Sequence, residues 1–163
     1  VAGKIRNQRT MLQRNHVEPK KSSIGMMKDL AESAERATGL ESLLGLEGPA
    51  ARTYFGDFAG MMKPGDDVEP VESGLTFDFE GRNRRPPRDP VNALLSFGYA
   101  MLSKECTVAL LAEGLDPWWG LYHQPRHGRP ALALDIMEPF RPAVVDSAVV
   151  SAITPGRVTQ ATS

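Results

Sequence analysis

With 163 residues the chain is long enough for one domain with a real core, and 41% hydrophobic against 24% charged residues is an ordinary globular composition. The formal net charge of −1 does not announce a nucleic-acid partner, and a single cysteine, Cys106, excludes a disulfide framework and a thiolate metal cluster and fits a reducing, cytosolic setting. The charge is unevenly spread: residues 1–28 carry seven Lys or Arg and one acid, residues 29–80 carry twelve acids and three Lys or Arg. No apolar run is expected to approach membrane-spanning length. The first residue is Val1, so the chain reads as a piece of a longer one.

Residues 3–15 predict a short helix with Ile5 and Leu12 as its apolar edge and Lys4, Arg6, Arg9 and Arg14 around it. Such a helix fits either phosphate contact or a solvated charged face. Pro19 ends it. Ser22 or Ser23 can cap the next helix, whose stripe is Ile24, Met27, Leu30, Ala31 and Ala34, with Gly39 as its stop. A stronger stripe follows in Leu40, Leu43, Leu44, Ala51, Tyr54, Phe55, Phe58, Met61 and Met62. Glu47 falls on that stripe, between Leu44 and Ala51. A carboxylate aimed into a core needs a cation, a ligated ion or a proton. Gly45 and Gly48 leave room beside it, and Pro49 is expected to kink or restart the helix.

Residues 63–80 have turn composition, with a short strand possible near 75–79, where Leu75, Phe77 and Phe79 alternate with polar residues. Arg82, Arg84, Arg85 and Arg88 then share one proline-stiffened loop. Their guanidinium forks suit phosphate oxygens; docking on the acidic 29–80 surface is the alternative. Asp89 and Pro90 start a helix as cap and first residue. From Val91 to Glu113 that helix is apolar on nearly every face, with Asn92 in its polar first turn, and so is expected to be central and buried. The fold expected is all-α: a multi-helix single domain, 1–163.

The last informative stretch is His123–Glu138. Pro130 is well placed to open a helix on which Asp135 and Glu138, three apart, share a face, and Pro139 interrupts it. Two acids on a half-buried helix repel unless something positive sits between them. Oxygen ligands with one imidazole suit Mg²⁺ or Mn²⁺; solvated acids and a loop histidine are the alternative. His127 reads as a loop residue, and Arg141 with Pro142 opens a further helix, to Ile153.

Taken together, Lys4–Arg9, Leu44–Gly48 with Ala51 and Arg52, Gly81–Tyr99, Gly114–Pro117, His123 and Leu132–Pro142 resemble one family, in its order and over almost the whole chain. It is the universal CRISPR-associated endonuclease–integrase (CRISPR-associated protein one), which captures new spacers. The arginine-rich stretch into the following helix is the most specific part. The resemblance implies the C-terminal helical catalytic domain, starting near the interdomain junction and stopping before the family's last helices, with the N-terminal β-rich domain absent. It implies a metal held by Glu47, His123 and Glu138, with Asp135 serving instead of or beside Glu138. The family often has Asp at that last position.

The implied chemistry is Mg²⁺- or Mn²⁺-dependent cleavage of DNA phosphodiesters, or their transfer to the 3′-hydroxyl of a captured fragment, which inserts spacers into the CRISPR repeat. Arg82, Arg84, Arg85, Arg88 and Asn92 would hold nucleic acid. The implied partners are spacer-precursor and repeat DNA, a second copy in a homodimer, and the small ferredoxin-like companion of CRISPR adaptation, in the prokaryotic cytoplasm and with no membrane. The alternative is a catalytically inactive helical module that binds DNA or acts as a scaffold.

Overall fold

The apolar spacing of the first 57 residues produces three helices, α1 (Ala2–Asn15), α2 (Lys21–Arg36) and α3 (Leu40–Asp57). This computed structural model describes residues 1–62, 79–83 and 86–154. Ile5 and Leu12 of α1 meet Met27, Ala31 and Ala34 of α2, and Tyr54 of α3 and Phe58 just beyond it fill the centre, all buried. α3 runs unbroken through Pro49, where a kink or restart was expected. α2 starts after Lys20 without a side-chain cap bond, so neither Ser22 nor Ser23 caps it. A short 3-10 turn, Phe58–Met61, closes α3.

Among the described residues there is no strand, in keeping with the all-α expectation. Leu75, Phe77 and residues 63–78 generally lie outside them, as do Arg84 and Arg85. Phe79 is buried, and its ring packs 5.1 Å from that of Phe58 and 6.3 Å from that of Phe55.

α4 (Pro90–Ala112) begins as the sequence predicts: the Asp89 carboxylate accepts the Asn92 N–H, and Pro90 occupies the first turn. The expectation that α4 is central and buried is corrected. Val91 and Leu95 enter the core, but Phe97 (67% exposed), Met101, Val108 and Leu111 form an outward apolar stripe. Hydrophobicity on every face says nothing about how many faces have a neighbour, and α4 packs on residues 131–137 and 141–153. The view that no run approaches membrane length also needs correction. By length and composition alone α4, at 23 residues, could cross a membrane.

α5 (Ala131–Met137) ends just before Pro139, as a proline interruption requires. The expected helix after Pro142 is split: a π-helical turn, Arg141–Asp146, leads into α6 (Ser147–Ile153). The wider turn buries both Val145 and Asp146. Gly98 allows the crossing of α4 over this turn, since a Cβ there would lie 2.5 Å from Val145 Cγ1.

Candidate active site

The site side chains reach the same cavity, of about 350 Å³, from separate parts of the chain: Lys4 from α1, Glu47 from α3, His123 from the loop before α5, Glu138 from the end of α5 and Arg141 from the π-helical turn. Glu47 is half-buried and Glu138 is buried. The three residues expected from the sequence, Glu47, His123 and Glu138, are therefore brought together.

Asp135, the fourth, is not among the cavity walls. It stands behind His123 and holds the loop. Its Oδ2 accepts the backbone N–H groups of Leu121 (2.6 Å) and Tyr122 (2.8 Å), and its Oδ1 accepts that of His123 (2.9 Å) and lies 2.6 Å from His123 Nδ1. Burial pushes the Asp135 carboxyl up, but these amides and the imidazole outweigh it and hold it below the ordinary value. An ionised carboxylate only accepts, so Nδ1 donates to Asp135 and Nε2 is the nitrogen turned away from that clamp. Asp135 is thus a positioning residue, and the choice between Asp135 and Glu138 as the cavity acid falls to Glu138.

The positive charge between the two cavity acids is an ammonium. Lys4 Nζ donates to Glu47 Oε1 at 2.5 Å and lies 2.6 Å from Glu138 Oε2, with only 9% of the lysine side chain exposed. The approach to Glu138 is off the axis of a hydrogen bond, so that buried oxygen has no directed partner. Arg141 Nη2 takes the other oxygen, Oε1, at 3.0 Å, and the Tyr122 hydroxyl donates to Glu47 Oε2 at 2.5 Å. Burial raises the Glu47 carboxyl, but Lys4, then Tyr122 and His123, bring it below its ordinary value. Among the described residues no three His, Cys, Asp or Glu side chains already stand in coordinating geometry. The donor set still fits one hard divalent ion: two carboxylates turned toward one cation, a buried carboxylate oxygen that is ion-paired but takes no directed hydrogen bond, and an imidazole whose Nδ1 is held by Asp135.

A second layer lies beneath. Tyr54 and Tyr99 donate their hydroxyls to Asp146, at 2.8 and 2.5 Å, and the guanidinium groups of Arg82 and Arg141 lie 5.4 and 5.0 Å from the Tyr99 ring centre. Burial pushes the Asp146 carboxyl up to about 6, although Tyr99, Tyr54, Arg141 and Lys4 all pull the other way. Below about pH 4 this group is protonated folded and unfolded. Between about 4 and 6 the unfolded chain releases the proton and the folded chain keeps it, so stability falls as pH rises, by roughly 3 kcal/mol in all, and then levels off. Asp146→Asn is expected to erase that fall, seen as urea midpoints that converge on or pass the parent's between pH 4 and 7.

Two expected nucleic-acid residues are placed differently. Asn92 is fully buried and saturated. Its Oδ1 accepts from Arg82 Nη1 (2.7 Å) and Asn83 N (3.0 Å), and its Nδ2 donates to Gly81 O (2.9 Å) and Asp89 Oδ2 (2.6 Å). It braces the 81–83 stretch, so the nucleic-acid contact that the resemblance implies finds no open side-chain polar atom on it. Arg82 also bonds Ser96 Oγ at 3.0 Å and lines the cavity, so it ties the stretch to α4 first. Arg88 is exposed, and Arg84 and Arg85 lie outside the described residues.

Sequence reasoning missed Lys4, Tyr122 and Asp146. Lys4 carried a usable signal. It stands one turn before Gln8 and beside Ile5 on the face that α1 buries, the same argument that singled out Glu47.

The sequence model described as CRISPR associated protein Cas1 matches residues 1–162. The chain is 53% identical over 164 residues to the CRISPR-associated exonuclease Cas4/endonuclease Cas1 fusion of Geobacter sulfurreducens, covering 97% of this chain and 28% of that protein. It is 47% identical over 159 residues to CRISPR-associated endonuclease Cas1 3 of Thermus thermophilus, covering 98% and 43%. It therefore spans less than half the length of these relatives. Among solved structures, a partial Cas6-RT-Cas1–Cas2 complex matches with a TM-score of 0.83 and 35% identity, over 98% of this chain and 45% of that one. Matched from its first residue to its last but one, the chain belongs to the CRISPR associated protein Cas1 family.

Proposed function

We propose that this chain is the catalytic helical part of a metal-dependent DNA endonuclease–integrase of CRISPR adaptation. The observation that carries the reading is the convergence of Glu47, His123 and Glu138 on one cavity, with Asp135 fixing the imidazole. Those three side chains would hold Mg²⁺ or Mn²⁺. When bound, the ion supplies Lewis acidity to a phosphodiester and makes water or a DNA 3′-hydroxyl the stronger nucleophile. The chain's own cations do the positioning: Arg129 and Arg141 line the same cavity, Arg82 borders it, and Arg88 stands on the outer loop. They address phosphate oxygens without reading bases, so their loss weakens binding and flattens its salt dependence.

The partners in this reading are spacer-precursor and repeat DNA, a second copy of the chain, and a small ferredoxin-like companion, in the prokaryotic cytoplasm. Its support is the family membership, and a structural neighbour that is itself a Cas1–Cas2 complex. Nicking of a branched duplex is expected with Mn²⁺ or Mg²⁺ and is expected to stop with EDTA. A chain that binds the duplex with metal present and leaves it intact would overturn the enzyme reading in favour of an inactive scaffold.

A further inference from the structure

We infer that Lys4 is a tethered counter-ion that holds the cation position between Glu47 and Glu138 in the metal-free chain and leaves it when a divalent ion binds. The inference rests on the metal-site reading above and extends it to a residue that reading does not use.

The geometry is that of one cation shared by two acids. Lys4 Nζ lies 2.5 Å from Glu47 Oε1 and 2.6 Å from Glu138 Oε2, and both its own side chain and that of Glu138 are over nine-tenths buried. A buried carboxylate and a half-buried one cannot stay ionised side by side without a positive charge, and the only ammonium at those distances is this one, among the described residues. A divalent ion ligated by the same two oxygens needs the space that Nζ occupies, because both kinds of cation approach a carboxylate oxygen to within about 2–3 Å. Lysine suits this use better than arginine: its ammonium is a compact point charge on a flexible stem.

The cavity also offers the displaced ammonium somewhere to go. Gln8 is buried one helical turn along α1, on the same cavity wall, and its Oε1 has no hydrogen-bond partner. Asp146 lines that wall too, and its carboxyl already feels the Lys4 charge. A swing of the lysine stem toward Gln8 and Asp146, whose oxygens already accept from Tyr54 and Tyr99, exchanges two short ion pairs for looser contacts and frees the amine to react, while the divalent ion takes Glu47 and Glu138. Metal capture is then an exchange of one cation for another. The acids stay in register while the site is empty, and weakly charged intruders gain little by entering.

The test has two readouts, neither of which is DNA cleavage. In Mn²⁺ titrations followed by electron paramagnetic resonance, Lys4→Met is expected to bind Mn²⁺ about tenfold or more tightly than the parent, because the competing charge is gone. In the parent, acylation by an N-hydroxysuccinimide ester, mapped by mass spectrometry, is expected to label Lys4 severalfold more in saturating Mg²⁺. Labelling of the exposed Lys28 should stay level. Equal or weaker Mn²⁺ binding by a folded Lys4→Met overturns the inference, as does Lys4 labelling indifferent to bound metal. The labelling is done on the parent, so it decides the matter even if Lys4→Met fails to fold. The two readings fail separately: Mn²⁺ binding that ignores Glu47→Gln sinks the metal site itself, whereas binding that needs Glu47 and ignores Lys4 sinks the exchange alone.

Discussion

Glu47→Gln is expected to leave the chain folded and to lower metal-dependent DNA nicking by at least about a hundredfold. The amide has nearly the shape of the acid and can still accept from Tyr122. It cannot supply the negative charge that a divalent ion needs. Glu47 is the site acid best suited to this experiment because its side chain is 23% exposed, against 5% for Glu138. At Glu47 the loss of charge is partly compensated by water. At Glu138 the same change would leave Lys4 and Arg141 facing a neutral side chain in a buried place, at a cost of about 3 kcal/mol or more, and unfolding would obscure the chemistry. Nicking rate and melting temperature measured on the same preparation check the prediction. Nicking within a few-fold of the parent would rule out Glu47 as a ligand.

Gly120→Ala is expected to destabilise the chain by about 2–4 kcal/mol and to take metal binding with it. A methyl group at Gly120 would lie 2.5 Å from the His123 carbonyl oxygen and 2.6 Å from Ala131 Cβ. Neither neighbour is a flexible tip that can swing away. Ala131 is fully buried at the start of α5, and the His123 backbone is pinned by Asp135. The loop must lift off α5, and the imidazole goes with it. Gly45→Ala is the contrast: it sits in α3 with nothing within 4 Å of the added carbon, and alanine there is expected to be neutral or to stabilise by about 0.5–1 kcal/mol. Urea melts and Mn²⁺ titrations on the two variants give the comparison. A Gly120→Ala chain as stable as the parent would contradict the close packing of this loop.

Much of the site was legible because its parts break local rules. Glu47 interrupts an apolar stripe, and Asp135 and Glu138 interrupt an apolar helix. Asp89 and Pro90 spell a helix start in two residues. What periodicity could not supply was the division of labour. Two acids three apart on a helix are equivalent in sequence; here one turns back to a loop's amides while the other faces the cavity. Lys4 was passed over among the six other cations of the first 28 residues: its place beside Ile5 on one helical face was legible, but its two ion pairs were not. The π-helical turn left no mark beyond Pro142, and without its wider pitch Asp146 reads as one more helical acid. The burial of α4 was overestimated for a related reason: an apolar side chain states a preference, and only its neighbours decide whether that preference is met.

The clamp of Asp135 on His123 has a mechanical consequence. Through it, the imidazole, held at Asp135, and Glu138, three residues further on, ride on the C-terminal part of α5 as a single body, whereas Glu47 rides on α3. An ion gripping all three would act as a rivet between those two bodies. Its grip would then gauge the gap across the cleft, and whatever pries α3 from α5 by an ångström would loosen it.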